Sequence, residues 1–466
     1  MKKINLLPNP IFLFVCILVL VNSCRKGPGD IERNGASEFK STGIENELFE
    51  KSSNGHLRQT KTYSSEVAQK WHDFQLRLLR LPAGANPFGM NGNRFFAYFG
   101  IALYESVVPG MPEYQTLYGQ LTSMPQMPTT QPGKAYHWPV SANAALAFLT
   151  RNFYTNVSAA NIAAMDSLEN ALNSAYQSEI NTELFQRSVA FGTTVAQRIF
   201  EWSKSDGALT VYPTFVPPVG PGIWSPTAPN PNGISAPYWG NNRLFVQGSL
   251  NNTSSPPPPP YSTDPNSAYY KMVKEVYDIS QALTPAQIAT ALYFRDNPGF
   301  QAGTHYQSIF SEVMHNENPQ LDFYAVAQAK TGIALAESQI GCWKIKYNLL
   351  VERPIRYIRN VLGHTAWNPV IPTPPHPDFP SGHSQTGGAL GRVLTSLFGD
   401  NYEITLHTYD NLGMAPRTYG SFTEMVDDIG KSRVYAGIHY TYSCTEGSKQ
   451  GEKIAANILN TLRFRK

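Results

Sequence analysis

The sequence predicts an all-α protein in which a long proline-rich strap joins two helical bundles. Two observations lead to this fold class. After residue 63, apolar residues recur at helical spacing, whereas the alternating patterns and tight turns of β-hairpins are nearly absent. Between residues 212 and 265 the composition changes to Pro, Gly, Asn and Ser, which a helix does not accommodate. The predicted bundles therefore span residues 64–211 and 266–466.

The first residues have the pattern of a bacterial export signal. Two lysines precede an apolar run over residues 11–21, which is too short to span a membrane in the mature protein. A small residue and then Cys24 follow the run, as in a lipobox. We expect a signal peptide over residues 1–23, a lipid anchor on Cys24 and a flexible tether over residues 24–63. The protein would then be exported to the cell envelope of a bacterium, in the periplasm or at the outer membrane. An ordinary secretory signal is the alternative.

Composition narrows the classes of function. The 466 residues are 42% hydrophobic and 15% charged, as in a globular protein rather than a disordered one. The net charge is only +3 and no basic tract is interleaved with aromatic residues, so nucleic acid is not an expected partner. Beyond the predicted signal and anchor the cysteines are Cys342 and Cys444, which either form one disulfide or remain two buried thiols.

The helical pattern of the N-terminal bundle starts near residue 64. Residues 95–108 are apolar nearly all round, which predicts a helix buried between other helices. Further helical patterns cover residues 142–153, 161–176 and 183–202.

The segment from residue 212 to residue 265 has two interpretations. It contains five consecutive prolines and is expected to be extended, which suits a solvated linker between two domains. It also contains large aromatic residues, among them Trp224, Tyr238, Trp239 and Phe245. Because a solvated linker does not need them, we predict an ordered strap that packs on the helices.

The C-terminal bundle resumes the helical pattern. Thr284 and Pro285 begin one helix, as N-cap and first helical residue, and this helix extends to about residue 295. The other predicted helices cover residues 267–280, 305–315, 322–347, 384–398, 422–435 and 446–462.

A candidate anion site lies at the start of the helix predicted from residue 384. The tetrapeptide Pro-Ser-Gly-His, residues 380–383, comes directly before its apolar face. Ser381 can cap the helix, and Gly382 allows a ligand to approach the backbone N–H groups closely. Those N–H groups and the positive end of the helix favour an anion. On its own, a Ser-Gly helix cap often binds nothing.

Two basic residues upstream could face the same anion. Lys346 and Arg353 are seven residues apart, which is two turns of a continuous helix. Pro354 disfavours helical conformation at Arg353, so we expect Lys346 in the last turns of a helix and Arg353 just beyond its end. A solvated basic helix end is the alternative.

Arg433 and His439 form a third candidate pair. Six residues on a continuous helix separate two side chains by about 240°, so these two cannot converge unless the helix ends between them. Gly437 offers that end and would place His439 on the following turn. A hydrogen-bonded core or surface histidine is the alternative.

These pieces follow one another as Lys-x6-Arg-Pro, Pro-Ser-Gly-His and Ser-Arg-x5-His. The order resembles the signature of the superfamily that joins type 2 phosphatidic acid phosphatases, bacterial acid phosphatases and vanadium haloperoxidases. The signature spans residues 346–439, about a fifth of the chain. A weaker likeness, in residues 95–110 and in the strap, is to bacterial members of the haloperoxidase branch. The resemblance implies an all-α, vanadium haloperoxidase-like fold of two helical bundles, with the site in the C-terminal one.

The resemblance also implies a role for each position. Phosphate and vanadate are both tetrahedral oxyanions, so one cage of cations and N–H groups serves either. The residues that would bind the anion are Lys346, Arg353, Ser381, Gly382, Arg433 and His439. His439 would be the ligand of vanadium, or the nucleophile of a phosphatase, and His383 would be the acid–base partner.

Two further residues favour the haloperoxidase branch. Trp343 stands three residues before Lys346, where haloperoxidases carry a tryptophan beside the halide, although a core aromatic residue explains it equally well. His376 stands seven residues before His383, where bromide-oxidising members carry histidine and the chloride-oxidising type carries phenylalanine. We therefore expect Trp343 and His376 to border the halide and the peroxide, with bromide or iodide as the substrate rather than chloride.

One position departs from the family pattern. Members usually carry an aspartate four residues after the second histidine, where this chain has Ser443. A histidine nucleophile needs that carboxylate more than a metal ligand does, because a hydroxyl can orient a ligand, so Ser443 weakens a phosphatase more. Glu446 is a candidate substitute. Asp296 stands where related enzymes have an acid that supports a site arginine, but is interpreted here as a plain surface residue.

The sequence thus predicts a vanadate-dependent haloperoxidase that oxidises bromide or iodide with hydrogen peroxide to a hypohalous acid equivalent. A periplasmic acid phosphatase with a phospho-histidine intermediate is the first alternative, and phosphate could occupy the same site. A non-catalytic oxyanion-binding lipoprotein is the second. The membrane is expected to be a partner only through the lipid on Cys24, while an organic acceptor and the oligomeric state stay open.

Overall fold

The computed structural model describes residues 58–80, 90–227, 233–296, 299–300 and 303–466. Over these residues the chain forms thirteen α-helices and one two-stranded sheet, so the predicted all-α class is confirmed. The predicted signal peptide, the lipid site at Cys24 and the tether up to residue 57 lie outside the described residues.

The first five helices precede the strap. They are α1 (Glu66–Leu79), α2 (Asn91–Val107), α3 (Trp138–Phe153), α4 (Ala159–Gln177) and α5 (Thr182–Ser203). The side chains of Ser158 and Asn181 cap α4 and α5 by accepting backbone N–H groups of the first turn. Thr60 and Tyr63, at the end of the predicted tether, are buried, so the packed part of the chain begins before residue 64.

Eight helices follow the strap. They are α6 (Ala268–Gln281), α7 (Pro285–Tyr293), α8 (His305–Glu317), α9 (Leu321–Leu349), α10 (Pro354–Asn360), α11 (Gly382–Phe398), α12 (Phe422–Tyr435) and α13 (Thr441–Thr461). The strands β1 (Ile404–Leu406) and β2 (Arg417–Tyr419) pair antiparallel. Thr284 and Gln287 form a capping box at the start of α7, with proline at the first helical position as predicted.

One hydrophobic core runs through both halves of the chain, from Trp71 in α1 to Ile454 in α13. Every residue of α2 after the first is buried, as its all-round apolar pattern predicts. Gly100 lets α2 and α9 touch, because a Cβ at that position would lie 2.7 Å from the carbonyl oxygen of Gln328. This packing fixes α9, the helix that carries Lys346, against the N-terminal half.

The proline-rich strap packs on the helices, as predicted. Trp224, Trp239 and Phe245 are buried and Tyr238 is half-buried. The backbone N–H of Trp224 donates to the carbonyl oxygen of Leu350 at 2.6 Å, which attaches the strap to the residue that follows α9. The domain boundaries at either end of the strap stay a prediction.

The N-terminal parts of α11 and α13 lie against each other in the C-terminal half. A Cβ on Gly451 would lie 1.9 Å from the carbonyl oxygen of Gln385, and one on Gly447 would lie 2.9 Å from that of Ser381. Side chains at these positions would force the helices apart. The start of α13 is therefore held beside the Pro-Ser-Gly-His segment.

None of the helices in the described residues has both the length and the hydropathy that a membrane crossing needs. Cys342 and Cys444 are free and buried, so the two-thiol alternative is confirmed. Burial raises the pKa of these thiols to about 11 and about 12, and neither is a thiolate near neutral pH.

Candidate active site

The end of α9 supplies the first two basic side chains. Lys346 lies in the last turn, Leu350 follows the helix with a left-handed φ of +50°, and Arg353 is the N-cap residue of α10. Both basic side chains are completely buried. The predicted helix end between them is confirmed, and a solvated basic helix end is excluded.

The Pro-Ser-Gly-His segment begins α11 as predicted. Oγ of Ser381 accepts the backbone N–H of Ser384 at 3.3 Å, and Gly382 is the first helical residue. A Cβ on Gly382 would lie 3.4 Å from the ring of Trp343, so the indole borders the helix start. Because the first-turn N–H groups are at the positive end of the helix dipole, this end of α11 favours an anion.

The turn between α12 and α13 brings Arg433 and His439 to the same region. Arg433 lies in the last turn of α12, and Gly437 follows that helix with a φ of +76°, a conformation that favours glycine. His439 precedes α13 and is buried, as Arg433 is. The predicted turn at Gly437 is confirmed.

Lys346 and Arg353 attach the loop that leads into α11. Nζ of Lys346 donates to the carbonyl oxygens of Pro377 and Asp378 at 2.7 and 2.8 Å. Nε of Arg353 donates to the carbonyl oxygen of His376 at 2.9 Å. Burial lowers the pKa of Lys346 to about 8 and that of Arg353 to about 10, so an anion that offsets their charge would be strongly favoured.

Arg433 has buried donors that no described residue satisfies. Its Nη1 donates to the carbonyl oxygen of Phe294, whereas Nε and Nη2 are buried and have no hydrogen-bond partner among the described residues. An unpaired buried donor costs about 1–3 kcal/mol, and more when the group is charged. The two N–H groups along that edge of a guanidinium match two oxygens of an oxyanion.

His383 faces a carboxylate on the far side of the site. Its Nε2 lies 3.2 Å from Oδ1 of Asp296. His305, the first residue of α8, lies over His383 with the ring centres 5.4 Å apart, and its Nδ1 is 4.0 Å from the same oxygen. The interpretation of Asp296 as a plain surface residue is therefore wrong, because its side chain contacts a site histidine.

The donor atoms of Asp296, His305 and His383 lie within 4.8 Å of one another, a spacing that could hold a metal cation. The surrounding charge opposes that use. Burial lowers the pKa of His383, and Arg433 and Lys346 lower it further, while Asp296 acts in the opposite direction. The same positive field that keeps His383 neutral repels a free cation and attracts an anion.

His439 faces a second carboxylate, which the sequence did not predict. Its Nδ1 lies 2.9 Å from Oδ1 of Asp378, a fully buried residue in the loop before α11. Oδ2 of the same carboxylate accepts a hydrogen bond from Oγ of Ser443. Ser443 therefore binds the carboxylate of Asp378 and does not itself orient the histidine. Glu446 pairs with Lys449 and does not replace the missing aspartate.

Trp343 and His376 lie side by side at the same site, with their ring centres 5.1 Å apart. Nδ1 of His376 is 3.1 Å from Nη2 of Arg353, and Nζ of Lys346 is 5.9 Å from the centre of the indole ring. Trp343 is buried and borders the start of α11, so it lies between the core and the site. Burial lowers the pKa of His376 well below its ordinary value, as do the nearby charges of Lys346 and Arg353, and the ring is neutral.

Comparison with known proteins identifies the family. Residues 327–465 match the VCPO second helical-bundle domain. A solved bacterial vanadium-dependent iodoperoxidase is 30% identical over 87% of this chain and 98% of its own chain, with a TM-score of 0.77. This chain belongs to the vanadium-dependent haloperoxidase family. The holo and apo structures of a bacterial vanadium-dependent chloroperoxidase, 17% and 16% identical, share the fold at TM-scores of 0.62 and 0.61. They are matched over 83% and 80% of this chain and 95% and 92% of theirs, and no curated protein matches.

Members of the haloperoxidase family imply a vanadate cofactor, and the residues present fit that group. We call the set that would surround it the anion cage: Lys346, Arg353, Ser381, Gly382, Arg433 and His439. Its three cations are buried, and Nε and Nη2 of Arg433 lack a partner among the described residues. An oxyanion would satisfy those donors and offset the charge.

The structure brings every predicted site residue of this haloperoxidase into one region, with Trp343 and His376 at the edge of the anion cage. Their individual roles stay predictions. From the sequence, Asp296 was assigned to the surface, and neither Asp378 nor His305 was singled out as a site residue. A signal for Asp378 was present, since it is an acid directly before Phe-Pro-Ser-Gly-His in a chain that lacks the usual acid at position 443.

Proposed function

We propose that this haloperoxidase binds vanadate in the anion cage and uses hydrogen peroxide to oxidise iodide or bromide to a hypohalous acid equivalent. The observation that carries this is Arg433, whose Nε and Nη2 are buried and unpaired within the described residues. Two further buried cations, Lys346 and Arg353, lie around the same point. Similarity to an iodoperoxidase at 30% identity supports vanadate as the oxyanion.

Bound vanadate would supply a pentavalent Lewis acid that activates hydrogen peroxide toward halide without a change in oxidation state. Lys346, Arg353 and Arg433 would hold the charged oxygens, the two arginines through paired N–H groups. Ser381 and the backbone N–H of Gly382 would add hydrogen bonds from the start of α11. These residues bind and orient, and none of them has to change its protonation state.

His383 would move the proton. Burial lowers its pKa below the ordinary value, so the imidazole is neutral near pH 7 and able to accept a proton from hydrogen peroxide. It would do so at Nδ1, the ring nitrogen that does not face Asp296. The carboxylate, 3.2 Å from Nε2, would stabilise the resulting cation.

His439 would be the protein ligand of vanadium. Burial lowers its pKa well below the ordinary value, and the charges of Arg353 and Lys346 lower it further, so it is neutral and keeps a lone pair. Because Nδ1 faces Asp378, Nε2 is the nitrogen available to the metal. Nε2 lies 3.0 Å from Nη1 of Arg353, a cage residue.

Iodide or bromide is proposed over chloride for two reasons. Chloride is the hardest of the three to oxidise, so a site needs additional activation to use it. The side chain beside Trp343 is His376, a neutral hydrogen-bonding ring held by Arg353, instead of an apolar residue. The 30%-identical relative, itself an iodoperoxidase, is consistent with this preference.

The test is halide oxidation by purified protein loaded with one equivalent of orthovanadate, with iodide, bromide and chloride compared at saturating peroxide. We expect iodide to be oxidised fastest, bromide more slowly and chloride least, with no activity before vanadate is added. Excess phosphate should inhibit, because it competes for the cage. Stoichiometric vanadium in the protein without oxidation of any halide would contradict the proposal.

A phosphatase is the second candidate, because one observation favours it. Position 443 lacks the aspartate that a histidine nucleophile needs, but Asp378 places a carboxylate next to His439 instead. A vanadate-free phosphatase would hydrolyse a chromogenic phosphomonoester, and His439→Ala would abolish that activity. We expect the haloperoxidase assay to be positive and this assay to give no hydrolysis above background.

We also propose that the protein is exported and carries lipid on Cys24. This rests on the sequence pattern of residues 1–24, which lie outside the described residues. Labelled palmitate should be incorporated when the full chain is made in a bacterial host, and Cys24→Ala should abolish the labelling. Secretion of an unlabelled wild-type protein would indicate an ordinary secretory signal.

A further inference from the structure

We propose that Asp378, held by Ser443, is the positioning residue that fixes the orientation of His439 in the anion cage. This role rests on the proposed function only in that the cage binds an oxyanion. The carboxylate of Asp378 meets one ring nitrogen of the imidazole, with Oδ1 2.9 Å from Nδ1, whereas Nη1 of Arg353 lies near both, 3.0 Å from Nε2 and 3.4 Å from Nδ1. An acceptor at Nδ1 selects the tautomer in which Nδ1 carries the proton and Nε2 keeps the lone pair that a ligand bond needs.

The backbone of Asp378 is fixed from the region where α9 ends. Its N–H donates to the carbonyl oxygen of Val351 at 2.9 Å, and its carbonyl oxygen accepts from Nζ of Lys346 at 2.8 Å. The side chain is completely buried. Because these contacts are made by the main chain, the position of its backbone does not depend on the contact with the imidazole.

Ser443 then fixes the direction of the carboxylate. Its hydroxyl donates to Oδ2 of Asp378, and its carbonyl oxygen accepts the backbone N–H of Ser381 at 3.0 Å. Oδ1 has no well-aligned hydrogen bond from any described residue, and Nη1 of Arg353 is 3.9 Å away. Of the two side chains, His439 is the nearer, and a small rotation of its ring would align Nδ1 with Oδ1, while the backbone N–H of Tyr440 also faces this carboxylate.

The pair Asp378 and Ser443 accounts for the hydroxyl at position 443. A second carboxylate there would touch the first in a fully buried place, where like charges repel strongly. A hydroxyl donates to the carboxylate instead. One carboxylate is therefore sufficient to orient His439. We expect it to act from position 378 or from position 443, provided that the residue at the other position donates a hydrogen bond to it.

This reciprocity gives a matched set of variants. Asp378→Asn removes the charge, Ser443→Asp adds a second acid, and the double exchange of Asp378→Ser with Ser443→Asp keeps the composition while moving the acid. Glu446→Gln is the control, since Glu446 lies on the same helix as Ser443 but pairs with Lys449. Circular dichroism and thermal unfolding check that each variant is folded.

The first readout is the affinity for orthovanadate, with phosphate as a second probe, by equilibrium dialysis. Removing a group that orients a metal-ligating histidine typically weakens metal binding by about 10–100-fold, which is the loss we expect for Asp378→Asn. Ser443→Asp should weaken binding as well, and the double exchange should recover most of the loss. Glu446→Gln should bind as the wild type does.

The second readout is the ¹⁵N spectrum of His439 in anion-free protein, which reports the tautomer whether or not the protein binds vanadate. The wild type should show a protonated Nδ1, and Asp378→Asn should shift or broaden that signal. A folded Asp378→Asn variant with an unchanged His439 signal and affinities within about twofold of wild type would overturn the role. If the wild type binds phosphate but not vanadate, the proposed cofactor fails while the positioning of His439 is still decided by the spectrum.

Discussion

Replacement of Arg433 by methionine should separate anion binding from stability. The side chain is almost fully buried, one nitrogen donates to the carbonyl oxygen of Phe294, and the other two donors lack a partner among the described residues. A hydrogen bond to a charged group contributes about 1.5–3 kcal/mol. Loss of two such bonds to an oxyanion should weaken binding by about 3–6 kcal/mol, or about 10²–10⁴-fold in Kd.

The ligand-free protein should respond in the opposite direction. Arg433→Met replaces a buried charge with an apolar side chain of similar length, and burial disfavours that charge more than the nearby Asp296 stabilises it. Urea unfolding of the ligand-free variant should therefore give a free energy of unfolding no lower than that of the wild type. Isothermal titration with orthovanadate, and separately with phosphate, should show the loss of affinity.

Arg417→Met is the matched control for Arg433→Met. Arg417 is half-buried, is paired with Asp428 at 2.7 Å and donates to Thr290 and Tyr419, none of which is a cage residue. Its loss should cost about 1 kcal/mol of stability at most and leave anion affinity unchanged. An Arg433→Met variant that binds vanadate within tenfold of wild type would show that the two unpaired donors do not bind the anion. A variant several kcal/mol less stable without ligand would show that the buried charge stabilises the fold.

Three further changes have outcomes that the structure specifies. His383→Ala should lower kcat for iodide oxidation by about 10²–10⁴-fold while vanadate stays bound, as vanadium analysis of the assayed protein would confirm; an unchanged kcat would remove its acid–base role. His376→Phe keeps a ring against Trp343 but loses the contact between Nδ1 and Arg353, so kcat/KM for iodide should fall by about tenfold. A kcat/KM equal to that of the wild type would contradict a role of His376 at the halide. Burial lowers the pKa of His72 from 6.5 to about 4. Between these two pH values the histidine binds a proton in the unfolded chain but not in the folded one, so the free energy of unfolding falls as the pH falls. At pH 4 the His72→Gln variant should have lost about 3 kcal/mol less of its free energy of unfolding than the wild type has. If urea unfolding shows that both proteins lose the same free energy of unfolding between pH 6.5 and pH 4, His72 does not titrate in this way.

Features that one residue determines locally were predictable from the sequence. Pro354 keeps Arg353 extended, Ser381 caps α11, and Gly437 turns the chain after α12, each as expected from its backbone preference. The ordered strap was predictable because its aromatic residues need a place to be buried. Thr60 carries no such signal, so the predicted tether extended too far.

The two carboxylates of the site were not predictable in the same way. Asp378 lies 65 residues before Ser443, and their hydrogen bond exists only because α11 and α13 pack closely. Asp296 follows α7, and its approach to His383 depends on how α7 and α8 are placed relative to α11. Pattern and spacing fix a residue within its own element, whereas such contacts depend on the packing of several elements.

A crystal structure of the protein soaked in orthovanadate is the most direct test of the anion cage. The account predicts one vanadate in contact with Lys346, Arg353 and Arg433 at the start of α11, with Nε2 of His439 as the nearest imidazole nitrogen. Nε and Nη2 of Arg433 should both donate to it. Vanadate bound elsewhere in the protein would contradict the account. So would a cage without vanadate in crystals soaked at a saturating concentration, with Arg433 donating to a protein acceptor instead.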